Sequence, residues 1–223
     1  MEKGAYKIYC AGPLFNPKER EEMGQIASVL EDSGYSVFLP QRDGLEFAKL
    51  FPCFVERGIS GHDAQHILNM AIFSLDVCEI MDSNGLLLNM NGRVPDEGAM
   101  VEAGIAWAHK KVVVIYRSDT RSLIEGNCNP MVLGLSDFSL VSVYHEITAA
   151  FEAKFAGVVE DSLLARDCYF EAAAKSGKEI REYLAGQKSR GDIANLLIAL
   201  FREKIWKGSE GPKKNCSQTS AQR

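Results

Sequence analysis

An α/β protein, with an open parallel sheet and helices on both of its faces, is predicted by two observations. Strand-like and helix-like segments alternate up to about residue 156, as they do when crossover helices join parallel strands. The segment Lys111–Tyr116 is apolar at every position after its lysine, as a strand covered on both faces must be. Beyond residue 156 the alternation stops and helical periodicity takes over, which adds a C-terminal helical extension to the sheet.

Each element has its own warrant. Lys7–Ala11 (KIYCA) reads as a buried strand closed by Gly12 and Pro13. Pro17–Ser33 carries Met23, Ile26, Ala27 and Leu30 at helical spacing and stops at Gly34. Tyr35–Leu39 is rich in strand formers, and Pro40 ends it. Gln41–Gly61 mixes Gly, Pro, charge and Phe without a period, and a long segment of that kind is expected to be a functional loop such as a lid. His62–Met81 is a long, mostly apolar helix, Gly85–Met90 a strand and Asn91–Pro95 a loop. Asp96 is placed to cap a helix running to about Lys110. After Lys111–Tyr116 come a second long loop (Arg117–Asp137), a short strand (Phe138–Val143) and a helix (His145–Ala156). The expectation is a flavodoxin-like α/β domain over residues 1–156. An extension of two amphipathic helices, Ser162–Leu184 and Asp192–Trp206, occupies 157–206, and a polar tail over 207–223 is expected to be disordered. Ligands of such sheets bind beyond the carboxyl ends of the strands, so the loops after Ala11, Leu39, Met90 and Tyr116 are expected to form the site.

Composition narrows the function. The 223 residues carry 25 Lys and Arg against 30 Asp and Glu, a net charge of -5. No basic surplus is present to neutralise phosphates, so nucleic acid is not an expected partner. The apolar runs are short of the ~20 residues of a membrane helix, and the start of the chain does not resemble a signal peptide. Six cysteines (Cys10, Cys53, Cys78, Cys128, Cys168 and Cys216) form no C-x-x-C pair. Reduced thiols in a cytoplasmic protein are therefore expected.

The densest chemistry lies in Pro95–Ala108 (PDEGAMVEAGIAWA). Glu102 has Gly98, Ala99, Ile105 and Ala106 as its helical neighbours. Three of these are small and leave room for a ligand. The helix N-terminus would favour an ionised carboxylate, which is what a nucleophile toward an anomeric carbon must be. The alternative is a capping Asp96 and a solvated Glu102. Asp76 has Ile72, Phe73 and Ile80 around it, which would raise its pKa and suit a proton donor; the alternative is a polar edge on a buried helix. His62 and His66 have the spacing of metal ligands but lack a third, so no metal is expected. Cys10 is read as an inert strand thiol, and neither a phosphate loop nor a serine elbow is present.

Taken together, these residues resemble the nucleoside 2-deoxyribosyltransferases. The resemblance rests on IYCAGPLF (Ile8–Phe15), on D-x-G-x-x-x-E-x-G (Asp96–Gly104) and on Asp76 upstream of Asp96 on the preceding helix, with NPMVLGLSD (Asn129–Asp137) as a weaker fourth piece. It spans roughly residues 6–156. It implies that Glu102 is the nucleophile and that Tyr9 hydrogen-bonds and orients it. Asp76 and Asp96 would hold the nucleoside and assist proton movement, with Gly98 in the same binding motif, and Phe15 would line the base pocket. Asn129 would contact the sugar of a neighbouring subunit's substrate, implying a homo-oligomer with shared sites. The implied reaction moves 2-deoxyribose from a 2′-deoxyribonucleoside to a free nucleobase, without a cofactor. Asn84 stands near where the family often has another Asp, and residues 157–223 extend past the compact family members. Two other readings stay open: an N-glycoside hydrolase on the same fold, and a non-catalytic nucleotide-sensing module. The C-terminal helices, with Ile180, Leu184, Leu197 and Phe201 among their apolar residues, need a surface, supplied by their own domain or by a neighbouring subunit.

Overall fold

In a computed structural model of the chain, residues 6–92, 95–119, 128–156 and 168–209 are described, with only the backbone described for 168–174 and 203–209. Four short apolar segments pair in parallel: β1 (Lys7–Ala11), β2 (Ser36–Phe38), β3 (Gly85–Asn89) and β4 (Val112–Tyr116), in the order β2-β1-β3-β4. Among the described residues this is the flavodoxin-like order without a fifth strand. Strand alternation sends Tyr9, Ala11, Leu86, Leu88, Val113 and Ile115 to one face, and Ile8, Cys10, Leu87, Val112 and Val114 to the other. β3 and β4 are buried at every position.

The second face is covered by α1 (Pro17–Asp32) and α7 (Tyr144–Ala156). Asn16 starts α1 with a capping box, its side chain accepting from the Glu19 amide while Glu19 reaches back to the Asn16 amide. Gly12, at the carboxyl end of β1, lets the chain turn closely under α1: a Cβ there would lie 2.6 Å from Met23 Sδ and 2.8 Å from Asn89 Cβ.

The first face carries α4 (Gly61–Asp82) and α5 (Glu97–Ala108). α4 is apolar almost all round because it lies between the sheet and a further layer of helices, α8 (Cys168–Ala185) and α9 (Arg190–Ser209). Ile180, Ala194, Leu197 and Phe201 are buried in the same core as Tyr9 and Leu86. The C-terminal helices thus pack on their own chain. α8 meets α4 at Gly177, where a Cβ would lie 2.0 Å from the Ser74 carbonyl oxygen.

Three expectations are corrected. Gln41–Gly61 is not a structureless loop: it holds α2 (Pro40–Asp43) and α3 (Phe47–Val55). Leu50 and Phe54 are buried on α3, and this packing outweighs the cost of Pro52 inside the helix. Phe138–Val143 is not a strand, and only Val141 bridges to Tyr116 of β4. The reason is local, since Asp137 and Phe138 both have left-handed backbones (φ 57 and 58°) after the turn α6 (Pro130–Leu133) and Gly134–Ser136. Finally, α9 runs through Trp206 to Ser209, past the helix end expected at Trp206. Residues 210–223 of the predicted tail, like 157–167 of the extension, lie outside the described residues. No helix among the described residues is long and apolar enough to cross a membrane.

Candidate active site

Tyr9 points from the middle of β1 toward α4 and α5, and its hydroxyl donates to Glu102 Oε1 at 2.7 Å. The phenol is wholly buried and stacks on Phe38 of β2 at a ring distance of 5.5 Å. Asp76 of α4 faces the same hydroxyl. Strand order brings these three side chains together, because β1 lies beside β3, and β3 is flanked in sequence by α4 and α5.

The site is a desolvated acid pair with a phenol between them. Burial pushes Asp76 up to about 7; the Tyr9 hydrogen bond opposes the rise and the charge of Glu79 adds to it. Burial pushes Glu102 up to about 8, helped by the charges of Asp76 and Asp96 and opposed by the Tyr9 hydrogen bond. Burial and the charges of Glu102 and Asp76 hold Tyr9 well above its ordinary range, so it is a donor at any working pH. The helix N-terminus therefore does not keep Glu102 ionised on its own, as the spacing suggested, because desolvation outweighs the dipole. Near neutrality the two acids share about one proton.

A prediction about stability follows. Both carboxyls have folded-state values above their unfolded ones. Their contribution is intact below the unfolded pKa of about 4 and is lost as pH rises through about 7 and 8. Glu102→Gln is expected to gain more stability over wild type near pH 9 than near pH 5, by on the order of 2 kcal/mol. Thermal melts at both pH values check this, and a gain independent of pH would contradict it.

Asp96 caps α5, its Oδ1 accepting from the Ala99 amide at 2.8 Å, and Gly98 is exposed in the same first turn. Phe15 is 75% exposed in the loop after β1. Asn129 is exposed, and its side chain accepts from the Met131 amide to cap α6. Asn84 lies at the opposite end of the sheet, where its Oδ1 accepts from the Lys7 amide at 2.8 Å. His62 and His66 are exposed on α4, and no metal-binding cluster of His, Cys, Asp or Glu occurs among the described residues. Burial pushes the Cys10 thiol up to about 12. It and Cys53, Cys78 and Cys128 are free thiols; the side chains of Cys168 and Cys216 lie outside the described residues. A groove of about 730 Å³ opens on the other face of the sheet, among Val29, Ser33, Tyr116 and Tyr144, and includes none of these candidates.

Two polar features at the carboxyl ends of the strands escaped residue-level reading. Gln41, just after β2, gives its Nε2 to the Arg20 carbonyl, while its Oε1 is buried without a hydrogen-bond partner. Asn91, just after β3, donates to Glu22 at 2.7 Å and accepts from the Ser118 and Asp119 amides, tying the loops after β3 and β4 together. Their places after strand ends were the available signal.

The family model described as nucleoside 2-deoxyribosyltransferase matches residues 8–162. Among solved structures, a conserved protein from Enterococcus faecalis V583 is similar at 20% identity and a TM-score of 0.44, covering 67% of this chain and 98% of its own. A 2-deoxyribosyltransferase from Bacillus psychrosaccharolyticus is similar at 20% identity and a TM-score of 0.40, covering 63% and 89%. One from Leishmania mexicana gives 18% identity, a TM-score of 0.39, and coverage of 69% and 99%. No curated protein matches the chain.

Proposed function

The chain belongs to the nucleoside 2-deoxyribosyltransferase family, and from that premise we propose that it transfers 2-deoxyribose between nucleobases through a covalent intermediate on Glu102. The observation that carries this reading is the hydrogen bond from buried Tyr9 to Glu102 Oε1, made beside a second carboxyl group that burial keeps near neutrality. Burial raises Glu102 further than Asp76, and the Tyr9 hydrogen bond favours the charged form of Glu102 against that rise; in the proposed reaction the shared proton stands on Asp76 once the nucleoside is bound. One side chain is then a nucleophile and the other an acid.

In the first step a Glu102 oxygen attacks C1′ of a 2′-deoxyribonucleoside. The C1′–N bond breaks, its electron pair leaves with the base, and Asp76 gives that base its proton. The product is a deoxyribosyl ester of Glu102 with inverted configuration at C1′. In the second step a free base attacks C1′ from the vacated face and loses a proton to Asp76. The ester bond breaks, the carboxylate returns, and the β configuration is restored. Asp96, Gly98 and Phe15 are proposed to line the nucleoside site. Asn129 is proposed to complete the site of a neighbouring copy in a homo-oligomer; the exposure of Met131 (81%) and Phe138 (72%) beside it supports a surface that a partner covers.

Incubation with thymidine or deoxyinosine and free adenine tests the proposal. Deoxyadenosine is the expected product by chromatography. Release of free deoxyribose without exchange would assign a hydrolase instead, and the absence of both would favour a sensing module.

A further inference from the structure

Glu79 lies one turn beyond Asp76 on α4, and its carboxylate is 2% exposed. A buried charge of this kind needs partners. Lys7 of β1 pairs with its Oε2. Arg181 of α8 stands 3.8 Å from its Oε1, which has no hydrogen bond. Both cations also reach Asp82, Arg181 Nη1 at 2.7 Å and Lys7 Nζ at 3.2 Å. Burial acts against Asp82, but the Lys7 hydrogen bond and the two positive charges hold its carboxyl below the ordinary range. Two cations and two carboxylates thus join a central strand, the helix bearing Asp76 and the C-terminal extension. Arg181 gets there because Gly177, four residues earlier on the same face of α8, lets that helix touch α4.

We propose that Glu79 is a positioning residue for the reaction, its buried charge holding the proton on Asp76, and that the C-terminal extension tunes that charge through Arg181. The inference rests on the reading of Asp76 as the acid. The groups facing Asp76 are Tyr9 from β1, Glu102 from α5 and Glu79 from its own helix. Of these, Glu79 alone is gripped by a residue of the extension. The charge of Glu79 acts on Asp76 in the direction the proposal needs, keeping it protonated.

The test compares kcat/KM against pH for wild type, Glu79→Gln and Arg181→Gln. Losing the Glu79 charge leaves Lys7 and Arg181 beside Asp76, and the alkaline limb is expected to move down by about one pH unit. Losing Arg181 leaves Glu79 less compensated, and the limb is expected to move up by about half a unit. Arg181→Lys should restore the wild-type position. A purely structural role would lower kcat in both variants with the limb unmoved, and that result would overturn the proposal. If Glu79→Gln does not fold, carboxyl NMR titration of Asp76 in Arg181→Gln against wild type supplies the same answer, with an unchanged midpoint as the contrary result. Asp76→Asn separates the two claims. If it keeps full activity, the acid assignment itself fails; if it is inactive while the other profiles superimpose on wild type, only the role of Glu79 and Arg181 fails.

Discussion

Glu102→Ala is expected to lower kcat for base exchange by roughly 10³-fold or more while leaving the chain folded. The magnitude follows from the role: without the carboxylate the double displacement has no first step. The fold should survive because Glu102 is not a core side chain, and its removal relieves a desolvated charge that faces Asp76. Steady-state rates with circular dichroism check both halves. Retention of more than about a tenth of wild-type kcat would remove Glu102 from the mechanism.

The second large effect concerns stability. Gly177→Ala is expected to destabilise the chain by about 1–3 kcal/mol. Helix propensity alone predicts the opposite sign, a gain of about 1 kcal/mol. Packing decides, because the new Cβ would lie 2.0 Å from the Ser74 carbonyl oxygen and 2.4 Å from Cys78 Cβ. One of those atoms is backbone inside α4 and cannot rotate away. α8 must lift, loosening Ile180 from the core and Arg181 from Asp82. Urea titration measures the change, and a variant as stable as wild type would mean that α8 does not bear on α4 as described.

The sheet was legible because its strands are short apolar runs bounded by Gly, Pro or polar residues, and because helices with clear periodicity separate them. The Asp96 cap was legible for the same local reason. What was not legible is non-local or set by packing. Tyr9 and Glu102 are 93 residues apart, and only the order β2-β1-β3-β4 makes them neighbours; the family resemblance, not spacing, paired them. The ionisation of Glu102 was misjudged because a helix dipole can be read from a sequence and desolvation cannot. α3 was hidden by Pro52, whose cost is outweighed by Leu50 and Phe54 in a core that the local sequence does not show. The false strand at Phe138–Val143 had suitable residue types, but two left-handed residues beside it turn the chain away from β4 after a single bridge. Glu79 was not legible as a site residue, since the cations that hold it come from β1 and α8.

The central claim is that deoxyribose passes through an ester of Glu102, and trapping that ester tests it most directly. A 2-fluoro-2-deoxy-arabinosyl nucleoside slows breakdown of the intermediate, so the protein should gain the mass of the sugar, and peptide mapping should place it on Glu102. A sugar found on any other residue, or base release with no labelled protein at any time point, would contradict the account.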